Sequence, residues 1–120
     1  YSDGFVIGVS QGAMMALRLA NRLPFNCVVS VSGTYNAPEA FTYSGKVLMV
    51  NSLQDRVIPY AGNVNNSSVV DTVIEAKKTA TVQEIKIDSQ YRNNAFYHHT
   101  WGEIEALRPS LKQDIINFIK

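Results

Sequence analysis

The stretch that most limits what this chain can become runs from Phe5 to Ala20. Phe5, Val6 and Ile7 form a short apolar run that reads as a buried strand and stops at Gly8. From Gln11 onward the period changes: Ala13, Met14, Ala16, Leu17 and Ala20 recur at helical spacing, with Arg18 and Arg22 on the polar side. Strand must therefore become helix within one tight turn, and that turn reads Gly8-Val9-Ser10-Gln11-Gly12. This GxSxG spacing in a strand–turn–helix context is the nucleophile-elbow pattern. Glycines two residues either side of the serine are expected to let backbone pass where a Cβ would clash. The turn lifts the Ser10 hydroxyl above the strand ends and aims it at a helix start, where free N–H groups favour negative charge. Phosphate-binding loops fit less well, because there is no GxGxxG and no Gly-Lys-Ser/Thr after the strand.

Beyond the turn the chain alternates between elements. Pro24 closes the first helix over residues 21–24. Residues 26–32 read as a second buried strand, ended by Gly33. Residues 35–44, with Pro38, form a loop with room for one helical turn. Residues 46–51 are a continuous apolar run of the kind a parallel sheet buries on both faces. Residues 52–66 are polar and turn-rich, carrying Asp55, Pro59, Gly62, Asn63, Asn65 and Asn66. A helix is expected over residues 68–79, capped by Ser67 or Ser68, with Asp71 in its first turn. Residues 81–88 largely alternate apolar and polar side chains, as a strand near a sheet edge does. Residues 89–100 are irregular, and a closing helix spans residues 109–120. The alternation predicts an α/β fold, a parallel sheet with helices on both faces.

Composition narrows the function classes. Hydrophobic residues make up 46% of the 120 positions and charged residues 18%, which suits one globular domain over residues 1–120. The net charge of +1, with no basic cluster, gives no reason to expect nucleic acid or an anionic membrane surface. No run is long enough for a membrane span, and no signal peptide opens the chain. Cys27, the single cysteine, sits in an apolar run and reads as a core residue. The chain starts at Tyr1 without methionine, almost directly on its first strand, so it reads as part of something larger.

A serine hydroxyl needs a base to become a nucleophile. The chain holds two histidines, His98 and His99, both in the loop after the fourth expected strand, at the same sheet edge as Ser10. Metal binding by the pair is not expected, since adjacent side chains diverge and no cysteine or third histidine completes a site. A base in turn needs a carboxylate. Asp55, after the third strand, and Asp88, after the fourth, are the candidates. The order Ser10, Asp55, His98 or His99 is one in which such triads occur.

Three motifs give the chain a resemblance to the C-terminal half of an α/β-hydrolase. Gly8-Val9-Ser10-Gln11-Gly12-Ala13-Met14-Met15-Ala16 resembles the elbow segment of poly(3-hydroxybutyrate) depolymerase-like and feruloyl-esterase-like enzymes, and of the phospholipase/carboxylesterase group. Asp55-Arg56-Val57-Ile58-Pro59-Tyr60-Ala61-Gly62 is similar to the depolymerase-like acid loop, and His99-Thr100-Trp101 to its histidine loop. His98 stands where glycine is usual, and Gly102 where proline is usual.

The resemblance implies a serine esterase with Ser10 as nucleophile, His99 as base and Asp55 as acid. The Gln11 N–H would be one oxyanion donor, and no cofactor is needed. It also implies that the first half of the usual fold, with the second oxyanion donor, is absent from this chain. The edge at Phe5, Val6 and Ile7 is then expected to be covered by a companion segment or a second copy. Trp101, Tyr60 and Tyr35 are candidates for lining the substrate pocket. The short connection over residues 33–46 suits small or extended esters. Thioesterase activity on the same triad, or a non-catalytic hydrolase-like piece, are the alternatives. Depolymerase-like relatives are often exported and carboxylesterase relatives often cytoplasmic, so no compartment is assigned.

Overall fold

Apolar runs of five to seven residues can bury both faces only inside a layered sheet, and that is the arrangement of the computed structural model. The structure describes residues 4–64, 67–91, 93 and 95–120. Tyr1 to Asp3, and Asn65 and Asn66 of the turn-rich stretch, lie outside the described residues. The elements are β1 (Phe5–Val9), α1 (Gln11–Ala20), β2 (Cys27–Val31), β3 (Lys46–Ser52), α2 (Val69–Lys77), β4 (Thr81–Ile87), α3 (Trp101–Leu107) and α4 (Leu111–Ile119). The strands form one sheet in the order β1-β2-β3-β4, and every pairing is parallel. Phe5 lies beside Cys27, Cys27 beside Lys46, and Lys46 beside Thr81, so the strands begin level. All four consequently end along one edge.

The period-2 alternation of the central strands sorts their side chains into two cores. Val28, Val47 and Met49 point to one face, where Ala16, Leu17 and Ala20 of α1 and Val69, Val73 and Ala76 of α2 cover them. Cys27, Val29, Val31, Leu48 and Val50 point to the other, against Ile104 of α3 and Leu111, Ile115 and Phe118 of α4. Helices therefore pack on both faces, as expected. None of the helices among the described residues is long and apolar enough to cross a membrane.

Four details differ from or refine the sequence reading. Phe5, Val6 and Ile7, expected to be buried, belong to an edge strand that continues through Val9, leaving Phe5 49% and Ile7 42% exposed. An apolar run shows that a strand wants cover; it does not say whether a second strand lies beside it. The loop over residues 35–44 contains no helical turn: the Tyr35 hydroxyl donates to the Glu39 carbonyl, and Asn21 serves Ala40 and Thr42, so side chains satisfy the backbone instead. Ser68, not Ser67, caps α2, accepting from the Asp71 N–H at 2.9 Å. Helix α3 went unassigned, although Thr100-x-x-Glu103 is a capping-box signature and both reciprocal bonds are present.

The steric role expected of both elbow glycines belongs to one of them. A Cβ on Gly8 would lie 2.0 Å from the Gly12 carbonyl oxygen, whereas a Cβ on Gly12 meets nothing within 4 Å. Gly8→Ala is therefore expected to lower stability by about 1–3 kcal/mol or more through backbone displacement. Gly12→Ala, at an exposed helical position, should be neutral or gain up to about 1 kcal/mol from helix propensity. Urea unfolding of the two variants checks the contrast, and equal losses would show that the turn needs both glycines.

Candidate active site

Loops leaving the carboxyl ends of the strands bring three side chains together. Ser10 follows β1, Asp55 follows β3 and His99 follows β4, so side chains 45 and 44 residues apart in sequence meet at one edge of the sheet. Ser10 is the N-cap of α1, with φ 57° and ψ −118°. A non-glycine residue there carries roughly 1–3 kcal/mol of backbone strain. Two sets of bonds hold it. Its N–H donates to the Val31 carbonyl at 2.8 Å, and its carbonyl accepts from Ala13 and Met14 at 3.0 and 3.1 Å. An N-cap serine ordinarily turns its hydroxyl to its own helix. Here the hydroxyl makes no capping bond, and its Oγ lies 2.7 Å from His99 Nε2.

His99 Nδ1 is 2.9 Å from Asp55 Oδ2, and both residues are buried, at 7% and 6% exposure. The other Asp55 oxygen, Oδ1, accepts from the N–H groups of Val57 and Ile58 at 2.8 and 2.9 Å. An ionised carboxylate only accepts, so Nδ1 carries the proton and Nε2 presents its lone pair to the Ser10 hydroxyl. Burial pushes the Asp55 carboxyl above its ordinary range, and the bonds from His99, Ile58 and Val57 oppose that rise without cancelling it.

The histidine loop is held by a residue the sequence reading passed over. Glu103 Oε2 accepts from the Tyr97 N–H at 2.6 Å, while Oε1 accepts from Thr100 N–H, Thr100 Oγ1 and His99 N–H at 3.0, 3.1 and 3.3 Å. Burial raises the Glu103 carboxyl, but these backbone and hydroxyl donors together hold it below its ordinary value. The signal was the same capping box that marks α3. A second brace runs between loops, from the Arg56 N–H to the Tyr97 carbonyl at 2.9 Å.

The remaining candidates go elsewhere. His98 faces Ser52 and Tyr91 rather than Ser10. Asp88 accepts from Gln54 Nε2 at 2.6 Å, on the exposed side of the sheet end. The three aromatics proposed for a substrate pocket are engaged in packing. Tyr35 is buried, its hydroxyl bonded to Asn21 and Glu39 beyond the far end of α1. Tyr60 packs on the α1–α2 core and donates to Glu84. Trp101 packs on the α3–α4 core. The recess beside Ser10, about 450 Å³, is lined instead by Val9, Gln11, Met14, Val57 and Ile58. Among the described residues no group of three or more His, Cys, Asp and Glu side chains could hold a metal ion.

A parallel sheet covered on both faces is the fold this chain shares with a solved esterase and a solved α/β hydrolase. A thermostable esterase matches 96% of this chain with a TM-score of 0.68 at 13% identity. MGS-M1, an α/β hydrolase from a Medee basin deep-sea metagenome library, matches 96% with a TM-score of 0.67 at 17% identity. This chain spans 29% and 52% of their respective lengths, and at these identities the likeness concerns the fold. The family model described as Phospholipase/Carboxylesterase matches residues 2–99, and the chain belongs to that family. This is one of the groups its motifs resemble. A search of curated proteins finds no match.

Two outcomes follow from this geometry. Because the folded-state pKa of Asp55 is raised, its contribution to stability is full below the ordinary carboxylate pKa and is lost as pH rises through the folded value. Asp55→Asn should therefore gain in melting temperature relative to wild type at pH 7 more than at pH 4; a smaller gain at pH 7 would contradict the assigned direction. Glu103→Ala should lose about 1–2 kcal/mol in urea titrations as the cap and the loop acceptors vanish, and Glu103→Gln should lose less.

Proposed function

We propose that the chain carries the catalytic residues of a serine esterase. Ser10 is the nucleophile, His99 the general base and Asp55 the carboxylate that orients it. Membership of the phospholipase/carboxylesterase family supports an ester-hydrolase role. The observation that carries the finer reading is the unbroken run of contacts from Ser10 Oγ to His99 Nε2 at 2.7 Å and from His99 Nδ1 to Asp55 Oδ2 at 2.9 Å.

In this reading His99 takes the hydroxyl proton as Ser10 Oγ bonds to the ester carbonyl carbon. The resulting imidazolium is stabilised by Asp55 and returns the proton to the departing alkoxide. Water, deprotonated by the same histidine, then releases the acid from the acyl-serine. The oxyanion forms near the first turn of α1, whose leading N–H groups have no partner within the helix, and the Gln11 N–H is one donor. The lining of the recess beside Ser10 holds no charged side chain, which favours uncharged, apolar acyl or alcohol groups on a fairly open site. The exposed edge of β1, with Phe5 and Ile7, belongs in this reading under a companion segment or a second copy.

The alternative reading is a hydrolase-like piece that does not turn over; the chain spans 29% and 52% of the two solved neighbours. A fluorophosphonate probe separates the two. Labelling of the wild type should vanish in Ser10→Ala and fall by about 10⁴-fold or more in His99→Ala. Labelling that persists in Ser10→Ala would sink the esterase reading, and none in a folded wild-type sample would favour the second.

A further inference from the structure

His98 occupies a position that its backbone makes costly. Its φ of 56° lies in the left-handed region, where glycine would sit without strain, yet the residue is only 3% exposed. Both ring nitrogens are engaged. Nε2 lies 2.9 Å from the Tyr91 carbonyl, which can only accept, so Nε2 carries the proton. In the neutral ring Nδ1, 3.1 Å from Ser52 Oγ, is then the nearer acceptor for the Ser52 hydroxyl proton, with Gln54 Oε1 at 3.4 Å the other. Ser52 Oγ in turn accepts from the Gln54 N–H at 3.1 Å, and the Ser52 carbonyl accepts from the Asp55 N–H at 3.3 Å. The Phe96 ring stands edge-on to the imidazole with centroids 5.0 Å apart. One side chain thus ties the segment that leads into Asp55 to the segment that carries His99.

We propose that His98 is a positioning residue: through the Ser52–His98–Tyr91 bridge it fixes the spacing between the Asp55 loop and the His99 loop. The inference rests on the Ser10–His99–Asp55 reading. Strained backbone at residue 98 is retained because the bridge sets where the neighbouring imidazole can sit. A misplacement on the order of 1 Å at such a base costs about 10²-fold in turnover.

The test compares wild type, His98→Gly, His98→Asn, Ser52→Ala and the His98→Gly/Ser52→Ala double variant on a short p-nitrophenyl ester. The low-field NMR signal of the His99 Nδ1 proton is followed in parallel. Glycine relieves the strain and removes the bridge; asparagine tolerates the backbone but is too short to span Ser52 and Tyr91. All variants should lose about tenfold or more in kcat with KM little changed, and the double variant should fall no further than the worse single one. The His99 signal should shift or broaden in each. Should His98→Gly fail to fold, Ser52→Ala alone still decides, since it cuts the bridge and leaves residue 98 in place. Ser10-dependent hydrolysis with unchanged kcat and an unchanged His99 signal in Ser52→Ala would overturn the proposal. Hydrolysis that survives Ser10→Ala would overturn the triad reading instead, and the His99 signal would still decide whether the bridge sets that proton's geometry.

Discussion

Everything at this sheet edge depends on the backbone of Ser10 staying in a conformation it would not choose. The strain is sustained because the surrounding bonds over-determine it: the Ser10 N–H continues the β1–β2 ladder onto Val31, and its carbonyl starts α1. Gly8 admits the returning helix, whose Gly12 carbonyl occupies the space a Cβ would need. Gly33, just beyond β2, likewise leaves room for Ala13, whose Cβ would lie 2.5 Å from a Cβ there. The turn is therefore held by close packing of α1 on two strand ends, and its by-product is a serine hydroxyl freed from capping and facing His99.

The same device recurs around the site. Among the described residues, the three non-glycine residues with positive φ are Ser10, Ser32 and His98; the first two directly follow β1 and β2, and His98 lies in the long loop between β4 and α3. A level parallel sheet concentrates its loop departures on one edge, and sharp departures call for unusual backbone. Hydrogen bonds from neighbouring loops then hold those departures. Glu103 gathers the N–H groups of residues 97, 99 and 100, and Arg56 and His98 connect the Asp55 and His99 loops. Local stability is given up in the same region: burial of Asp55 raises its pKa, so its ionised form, which accepts from His99, is the costlier one for the fold.

How far the sequence could be read depended on whether each signal was local. Strand and helix periods placed every element but α3 to within a few residues, because burial on two faces imposes those periods directly. The serine turn was legible for the same reason, since its glycine, serine and helix lie within a few residues of one another. Helix α3 was missed although Thr100 and Glu103 signalled it, and with it the role of Glu103 in holding the histidine loop. The recess lining was less legible: Tyr35, Tyr60 and Trp101 pack on the two cores, and Val57, Ile58 and Met14 line the recess beside Ser10.

By itself, then, the sequence determined the α/β class, the strained turn and a short set of serine, aspartate and histidine side chains at one sheet edge. Tertiary structure decided which members of that set meet. Adjacent histidines look equivalent in one dimension, but the left-handed backbone at His98 turns its ring toward Ser52 and Tyr91 while His99 points at Ser10. Asp55 and Asp88 each close a strand, yet Asp55 is folded under the histidine and Asp88 is left on the exposed side with Gln54. Direction and burial of a side chain arise from contacts 44 and 89 residues apart along the chain. No local period or propensity encodes them.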